Sequence, residues 1–596
     1  MRVCDYIANK LSSLGITEVY GLVGGSTAGL NDGFISHSNI NFIGFHHEQG
    51  AGHAAVGAAR TTNKLSVCNV TAGCGVTNVL TSLLNAFDES APVLFLSGNT
   101  SISNQAKYIN KNKNIRLRKY GIQDLDCVSL VKDLCKFSIA IENANEVPSA
   151  LFKAISIANE GRPGPVWIDI PGNLQTAIIS DFVYDDSIDN HKTINREKEI
   201  EISFDEVLKS KRPLVVAGNG INLSNSRSLF KDFLLKYKIP FVTTFLSRDL
   251  IDYNNDLNLG MIGIKGNRSA NFAMQNSDCL LILGCSMNVT HIGYDSKSFS
   301  QGSKKIMIDI DESELKKDIF DIDYPLQVCI NTYLRHVNSI QADSNFDDWN
   351  NKCIHWKNLW PIYNETLHRS DKGGINLYEI VESINRNMKS KDCFIVDAGQ
   401  PCYILSTNGK FKENCRYMAQ SAQGDMGYAL PASVGVHFAD KSLNVVIVIG
   451  EGSFFTNMQE LAVIKKFNIP VKIFVINNDG YLSIKQTQNK FFEGRQWAVS
   501  NSTGLYFADL KKIADAFELN YIKIENNKEL DSLMPIILRS EEPIIVEFIS
   551  QKELDVLPAQ ALKPDGSQGA LHDMIPFLSE DVLKQEMIYE YSYTGK

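Results

Sequence analysis

The sequence lacks any apolar run long enough to cross a bilayer. Its longest runs, such as residues 443–450, fall well short of the ~20 residues that a membrane-spanning helix needs. The opening MRVCDYIANKLSSLGI also lacks the continuous apolar core of a signal peptide and has the pattern of an amphipathic helix. We therefore expect a cytoplasmic protein with no membrane partner.

A surplus of basic residues is also missing, because 59 Lys and Arg face 68 Asp and Glu, for a formal net charge of −9. Proteins that bind nucleic acid neutralise phosphates with clustered basic side chains, so nucleic acid is not an expected partner. The 12 cysteines contain no C-x-x-C pair and no clustered spacing. This argues against a zinc site or a disulfide framework and favours reduced, mostly buried thiols.

Short apolar, β-branched runs alternate with longer helical stretches, a pattern typical of parallel sheets covered by helices. Two polar stretches, residues 181–201 and 341–352, read as linkers. The sequence thus predicts an α/β protein of three doubly wound parallel-sheet domains, residues 1–180, 190–345 and 365–575. A tail after residue 550, with a short helix at 579–587, should lie across the surface. The predicted strands are residues 19–23, 41–45, 65–70, 92–97, 166–170, 213–217, 279–283, 305–310, 393–397, 444–449, 471–476 and 543–548.

The most informative motif is Gly-Glu-Gly-Ser at residues 450–453, followed by Asn-Asn-Asp-Gly at 477–480. Each follows an apolar strand, and a helix predicted at 457–467 lies between, so both strand ends should meet at one sheet edge. The Glu451 carboxylate, the Asn478 amide oxygen and the Gly480 carbonyl suit a hard cation such as Mg²⁺. Gly452 and Ser453 would offer N–H groups to a diphosphate. Taken alone, a G-x-G-S turn can also end a strand for purely steric reasons.

This pair of motifs resembles the signature of the thiamine-diphosphate enzymes, which is Gly-Asp-Gly followed after a similar interval by Asn-Asn. The resemblance implies thiamine diphosphate and Mg²⁺ as cofactors. It also implies a departure, because Glu451 stands where the family has Asp. The extra methylene moves the carboxylate outward, so weaker metal binding or a preference for a larger ion is expected.

The run NFIGFHHEQGAGHAAVGAAR, residues 41–60, carries a glutamate just after a buried-looking strand. Thiamine-diphosphate enzymes have a similar arrangement, in which the glutamate hydrogen-bonds the cofactor's pyrimidine ring. The resemblance therefore implies that Glu48 is the catalytic acid that activates the cofactor. The alternative is an acid that begins a helix and is favoured there by the helix dipole.

Gln-Gly-Asp-Met-Gly-Tyr-Ala-Leu-Pro at residues 423–431 resembles the family segment beneath the pyrimidine ring. Met426 would prop the cofactor into its bent form, and the Gly424 carbonyl would accept a hydrogen bond from the pyrimidine amine. Gly399 and Gln400 match the place where the family grips the diphosphate from the other side. The alternative for Met426 is a core-filling side chain.

Three further positions match the family's active site. Gly25 lies in a glycine turn of the N-terminal domain, Gln123 in a loop that carries a catalytic Gln, and Tyr481 just after the Asn-Asn motif. In the family, the N-terminal domain of one subunit faces the C-terminal domain of another. The resemblance thus implies a homodimer or homotetramer with active sites at the subunit interface.

The middle domain resembles that of acetolactate synthase, which binds FAD, so FAD is considered as a third cofactor. Thr290 stands where that enzyme has an Arg for its second oxo acid, and Thr487 where it has a Trp that narrows the acceptor pocket. Both changes favour a wider site for a less acidic acceptor.

The resemblance implies decarboxylation of a 2-oxo acid, first of all pyruvate, with transfer of the acyl unit to a carbonyl acceptor. A keto-sugar nucleotide is the expected acceptor, as in the surface-sugar-pathway carboligases of this type. The alternatives are acetolactate synthase, a simple 2-oxo acid decarboxylase, a hydrolase of cyclic diones, an NAD or FAD oxidoreductase, and a catalytically inactive binding protein on the same fold.

Overall fold

The computed structural model describes residues 1–180, 196–370, 372–420 and 423–589, and these residues build three parallel sheets of six strands each. Helices cover both faces of the sheets, so the predicted α/β class with three parallel-sheet units is confirmed. No helix among the described residues combines the length and the apolar character that crossing a membrane requires.

The N-terminal sheet has the strand order β2-β1-β3-β4-β6-β5, and its central strands are buried along their whole length. Such strands read as continuous apolar runs because helices cover both faces. Its strands are β1 (Glu18–Gly21), β2 (Asn41–Gly44), β3 (Ser66–Val70), β4 (Val93–Asn99), β5 (Phe137–Ala140) and β6 (Val166–Pro171). Its helices are α1 (Val3–Ser13), α2 (Ala28–Ile35), α3 (Glu48–Thr62), α4 (Cys74–Asn78), α5 (Leu80–Asp88), α6 (Ala106–Lys113), α7 (Cys127–Val131), α8 (Val147–Asn159) and α9 (Gly172–Gln175).

The middle sheet has the order β12-β11-β10-β7-β8-β9. Its strands are β7 (Pro213–Ala217), β8 (Phe241–Thr243), β9 (Asn258–Met261), β10 (Cys279–Leu283), β11 (Lys304–Asp309) and β12 (Tyr324–Gln327). Its helices are α10 (Glu197–Lys209), α11 (Gly220–Leu223), α12 (Arg227–Tyr237), α13 (Arg268–Asn276), α14 (Val289–Ile292), α15 (Glu312–Lys316) and α16 (Ile330–Ser339).

The helix α17 (Asp347–Leu359) corrects the predicted linker at 341–352, because the helix begins inside it. Trp349 is buried and donates to the Pro213 carbonyl at 2.8 Å, which fastens the helix to the middle sheet. The Asp-rich and Asn-rich composition favours a linker, although Trp349 stands out as a residue that could pack locally. Most of the other predicted linker, residues 181–195, lies outside the described residues.

The C-terminal sheet has the order β14-β13-β15-β16-β18-β17. Its strands are β13 (Asp392–Val396), β14 (Arg416–Met418), β15 (Asn444–Gly450), β16 (Lys472–Asn477), β17 (Asn520–Ile524) and β18 (Ile544–Ile549). Its helices are α18 (Glu365–His368), α19 (Leu377–Asn387), α20 (Gln400–Asn408), α21 (Ala429–Ala439), α22 (Glu451–Phe454), α23 (Leu461–Phe467), α24 (Leu482–Phe491), α25 (Leu510–Ala516) and α26 (Asn527–Ile537).

The helix predicted at 457–467 is shorter than expected. The α-helical part starts at Leu461, after the 3₁₀ turn Met458–Glu460. Glu460, the last residue of this turn, accepts hydrogen bonds from the amides of His46 and His47, at 3.2 and 3.1 Å. This carboxylate therefore joins the C-terminal domain to the N-terminal one.

The N-terminal and C-terminal domains also pack through helices α3 and α21. A Cβ added to Gly57 would lie 2.5 Å from the Ala432 carbonyl, and one added to Gly435 would collide with the Ala54 carbonyl. The two backbones thus approach closely because glycine occupies the contact. Since Ala54 meets Gly435 and Gly57 meets Ala432, the helices run antiparallel.

The tail after β18 crosses from the C-terminal domain to the middle domain. Helix α27 (Glu580–Glu586) lies within the predicted 579–587, and Glu586 accepts from Lys352 and Trp356 at 2.7 and 2.9 Å. Earlier in the tail, the Leu554 carbonyl accepts from Gln400 and Gln486 of the C-terminal domain. The tail therefore connects two domains, and its first part lies next to a predicted site residue.

Candidate functional site

The predicted metal motif lies at one edge of the C-terminal sheet. Strands β15 and β16 pair in parallel, with Gly450 opposite Ile476. Glu451 and Asn478 therefore leave neighbouring strands at nearly the same level, at the carboxyl edge where such sheets bind ligands. Both side chains are buried.

Glu451 is held by the loop that carries Asn478. Its Oε1 accepts a hydrogen bond from the Gly480 amide, and burial raises the pKa of its carboxyl to about 7. Gly480 has φ +117°, and a Cβ there would collide with the Val499 carbonyl, so only glycine fits. The Gly480 carbonyl accepts from the Leu482 amide at 3.0 Å and keeps a second lone pair.

These donors are one carboxylate, one amide oxygen and one carbonyl, which is the oxygen chemistry that Mg²⁺ prefers. The described residues contain no group of three His, Cys, Asp or Glu side chains placed to hold a metal. A cation at this edge would therefore need further oxygen atoms from water or from a phosphate.

Gly452 and Tyr481 are in direct contact. A Cβ on Gly452 would collide with the Tyr481 ring, and Ser453 beside it is buried. Because Gly452 has no side chain, the Tyr481 ring can pack against the start of α22. The first backbone N–H groups of a helix have no partner within the helix.

The next strand end carries Gly399 and Gln400. Gly399 has φ +91° and only distant neighbours around its missing side chain. Gln400 is buried at the start of α20, and its Nε2 donates to the Leu554 carbonyl. Its Oε1 is also buried but has no partner among the described residues. Such an orphaned oxygen points to a donor on a ligand.

Met426 lies on a loop that Asp397 holds in place. The Asp397 carboxylate accepts from the amides of Gly427 and Ala429 at 2.9 and 2.8 Å. Burial raises the pKa of Asp397 to about 6. Met426 is 40% exposed and a Cβ on Gly424 would meet open space, so the loop points outward from the single chain. The core-filling alternative for Met426 is therefore wrong.

Glu48 and Gln123 belong to a separate cluster on the N-terminal domain. Glu48 begins α3, is buried, and accepts from the Asn78 amide at 3.0 Å. Gln123, with φ +57°, places its Nε2 3.7 Å from the Cys74 sulfur. The short helix Cys74–Asn78 thus joins the two predicted residues. Gly25 lies in a neighbouring exposed turn, and a Cβ there would meet open space.

Within one chain, the Glu48 cluster and the Met426 loop are at opposite ends of the α3–α21 pair. Glu48 precedes Ala54 by six residues, and Met426 precedes Gly435 by nine. Because Ala54 meets Gly435 and the helices run antiparallel, the six residues from Glu48 to Ala54 and the six from Ala429 to Gly435 separate the starts of the two helices by roughly 18 Å, at a rise of about 1.5 Å per residue. The structure therefore brings together the members of each cluster, but it does not bring the two clusters together in a single chain.

Sequence reasoning missed several polar residues around these clusters. Asp397 follows the strand CFIVDA and could have been noticed as an acid at a strand end. Glu460 and Asp425 gave no signal, because neither has a diagnostic spacing. Asp425 is buried beside Met426, its Oδ2 has no partner among the described residues, and burial raises its pKa to about 8.

Models of known families match all three domains. The N-terminal TPP binding domain of the thiamine pyrophosphate enzymes matches residues 1–129, their central domain residues 200–337, and their C-terminal TPP binding domain residues 397–548. The three domains thus appear in this order along one chain, and each match covers most of one sheet.

Curated relatives match nearly end to end. The acetolactate synthase large subunit of Lactococcus lactis subsp. lactis (strain IL1403) is 28% identical, over 93% of this chain and 93% of that protein. The acetolactate synthase isozyme 2 large subunit of Escherichia coli (strain K12) is 28% identical, over 96% and 99%. A probable acetolactate synthase large subunit of Methanocaldococcus jannaschii is 27% identical, over 99% and 98%.

Proposed function

Because this chain belongs to the thiamine pyrophosphate enzymes, we propose that it decarboxylates a 2-oxo acid and joins the remaining acyl group to a carbonyl acceptor. Pyruvate is the proposed donor. The observation that carries the proposal is the pair of half-sites: Glu48 with Gln123 on the N-terminal domain, and Glu451 with Asn478 on the C-terminal domain. Each half-site consists of residues that match the family motifs. Hydrogen bonds from Asn78 to Glu48 and from the Gly480 amide to Glu451 hold the two carboxylates in place.

The C-terminal half-site would hold the magnesium and the diphosphate. Glu451, Asn478 and the Gly480 carbonyl would bind Mg²⁺, whose remaining positions are filled by diphosphate oxygens and water. The amides of Gly452 and Ser453 would donate to the diphosphate at the start of α22. The buried Oε1 of Gln400, which has no partner within the described part of the chain, supports a ligand on the other side of the diphosphate.

When bound, thiamine diphosphate supplies a carbon nucleophile for the 2-oxo group and stabilises the negative charge left when CO₂ departs. Glu48 would exchange a proton with the pyrimidine ring, and Asn78 fixes the position of that carboxyl. Met426 would support the bent cofactor from below. Gln123 would donate its amide N–H to the oxo acid.

The roughly 18 Å between the starts of α3 and α21 in one chain supports an oligomer. One bound cofactor must touch both Glu48 and Met426 in the proposed mechanism. A second copy would therefore have to supply the missing half-site, which supports a homodimer or a homotetramer. The Met426 side chain is exposed in the single chain and is therefore available for contact with a second copy.

Two acceptors are candidates. The relatives are named acetolactate synthases, and this favours a second 2-oxo acid as the first candidate acceptor. A keto-sugar nucleotide is the second candidate. One observation supports it, since Thr487 lines a cavity of about 900 Å³, far more than a three-carbon acid needs.

The glycine turn of the middle domain offers FAD no free amide at Gly218 or Gly220. The strand order there is that of dinucleotide-binding sheets, and Gly218 and Gly220 lie at the switch point. However, the Gly218 amide donates to Leu283 and the Gly220 amide to Gly284, both at 2.9 Å, so neither is free for a diphosphate. We assign no step to FAD, and the visible absorption spectrum of the purified protein tests this assignment.

The proposed function is tested by mass spectrometry of products. The protein, loaded with thiamine diphosphate and Mg²⁺, is given pyruvate alone, pyruvate with 2-oxobutyrate, or pyruvate with a panel of keto-sugar nucleotides. We expect CO₂ release and a hydroxyketone that contains the pyruvate acyl carbon atoms. The mass of the product identifies the acceptor. Failure to release CO₂ from pyruvate or any other 2-oxo acid would rule the proposal out.

A further inference from the structure

A large cavity lies beside the diphosphate half-site, between helix α24 and the tail. It measures about 900 Å³ and is closed on one side by the tail residues 552–557. Tyr403, one turn along α20 from Gln400, lines it, as does Gln486, which shares the Leu554 carbonyl with Gln400. The cavity therefore opens directly next to a residue of the proposed cofactor site.

Four lysines from different parts of the chain line this cavity, against two acids, Glu553 and Asp555. Two of the lysines contact Asp479: Lys485 donates to its carbonyl, and Lys552 lies 3.2 Å from its carboxylate. The other two, Lys265 and Lys490, form no ion pair among the described residues.

Lys265 is partly buried and comes from the middle domain, whereas Lys490 comes from α24. Burial lowers the pKa of Lys265, the charge of Asp555 opposes this change, and the charge of Lys490 adds a smaller lowering. The fold thus places two ammonium groups from separate domains around one cavity, with the Asp555 carboxylate as a counter-charge to Lys265. A phosphate carries more negative charge than this one carboxylate and would be attracted to both lysines.

Lys265 also lies beside Thr290, where the resemblance to acetolactate synthase implies that a cation is lost. The Ile264 amide donates to the Thr290 carbonyl at 2.9 Å, so Lys265 directly follows a residue that pairs with Thr290. The Arg that acetolactate synthase has at position 290 is absent, but a different cation stands next to that place. The sequence expectation of a less acidic acceptor therefore does not follow from Thr290 alone.

We propose that this cavity binds the phosphate or diphosphate group of the carbonyl acceptor, with Lys265 and Lys490 as its ligands. The inference rests on the proposed function, because it names the class of acceptor for the same site. A small 2-oxo acid would leave most of the 900 Å³ filled with water. Tyr403 and the 66%-exposed Phe491 add flat apolar surface beside the lysines, suited to a sugar or a base.

Isothermal titration calorimetry with uridine diphosphate tests the proposal. The protein is first saturated with thiamine diphosphate and Mg²⁺, so that the probe cannot occupy the cofactor's own diphosphate site. We expect binding that weakens by about tenfold or more in K265M or K490M, is lost in the double variant, and falls as salt rises. The matched control is K466M, an exposed lysine on α23 outside the cavity, for which we expect no change.

Two further probes distinguish the chemistry. If inorganic phosphate competes with uridine diphosphate, the phosphate group alone is recognised; if it does not, the nucleoside contributes, and both outcomes support the proposal. Absence of uridine diphosphate binding, or binding that neither lysine affects, would overturn it. So would competition by 2-oxobutyrate alone. Loss of CO₂ release from pyruvate in the wild-type protein would count against the proposed function and leave the phosphate-binding result unaffected.

Discussion

At the scale of single residues, Glu48 offers the sharpest test of the mechanism. The Glu48→Gln variant keeps the shape of the side chain and an oxygen for the Asn78 amide, but it cannot give or take a proton. We expect turnover to fall by about 10²–10⁴-fold, the usual size of general acid–base catalysis, while thiamine diphosphate still binds. The release of CO₂ and a fluorescence titration of the cofactor measure the two effects.

The matched control for Glu48→Gln is Glu312→Gln, which changes an exposed acid that pairs with Lys316 on α15. This control should leave both the rate and the cofactor affinity at wild-type values. A Glu48→Gln enzyme that still turns over at the normal rate would show that another group activates the cofactor.

Asp425→Asn tests how the buried Asp425 carboxyl changes the free energy of unfolding as pH changes. The raised pKa of about 8 means that folding favours the protonated acid. Between the ordinary pKa of 3.8 and about 8 the folded state binds more protons than the unfolded state, so this acid lowers stability as pH rises. The asparagine of the variant stays neutral throughout, and its gain in stability from pH 5 to pH 8 should reach at most about 4 kcal/mol.

Thermal unfolding of the wild-type protein and the Asp425→Asn variant at pH 5 and pH 8, without cofactor, measures this difference. We expect the variant to gain on the wild type as pH rises. A difference in midpoint that stays constant across this range would mean that Asp425 is ionised in the folded protein.

These residues also show what the sequence can reveal about the site. Glu451 and Asn478 could be placed together because each follows an apolar strand of one parallel sheet. Asp397 could have been noticed as an acid at a strand end, but Glu460 and Asp425 could not, since neither has a diagnostic spacing. Only the folded chain shows which amides they meet.

At the scale of secondary-structure elements, the contact between α3 and α21 depends on glycine. In Gly57→Ala, the new Cβ would lie 2.5 Å from the Ala432 carbonyl, which is a backbone atom and cannot rotate away. We expect a loss of about 1–3 kcal/mol, the usual cost of overpacking, seen as a lower unfolding midpoint in calorimetry.

The matched control is Gly44→Ala at the end of β2, where an added Cβ meets nothing within 4 Å. Its midpoint should stay close to that of the wild type. If Gly57→Ala proved equally harmless, the two helices would not be in the close contact described above.

The strands that the sequence failed to predict have a common physical cause. Five of the six lie at sheet edges, namely β5, β9, β12, β14 and β17. An edge strand is covered less completely, so its sequence need not be a continuous apolar run. The remaining one, β8, is central but only three residues long. The central strands were predicted because burial on both faces imposes an apolar sequence.

At the scale of the whole molecule, the proposed oligomer would place Glu48 and the C-terminal half-site of one chain in different active sites. This makes a prediction about mixed oligomers. Glu48→Gln and Asn478→Ala should each inactivate the homo-oligomer, because every site then carries one lesion. In a hybrid of the two variants, one site carries both lesions and its partner carries none.

We therefore expect a hybrid dimer, co-expressed with two affinity tags and purified through both, to have about half the wild-type rate of CO₂ release. The matched control is a hybrid of wild type with a chain that carries both substitutions. There each site keeps one lesion, so this hybrid should be almost inactive. The reverse result, an inactive first hybrid and a half-active second one, would mean that Glu48 and Asn478 serve the same cofactor within one chain. The separation between the starts of α3 and α21 would then have to close by a movement of the two domains.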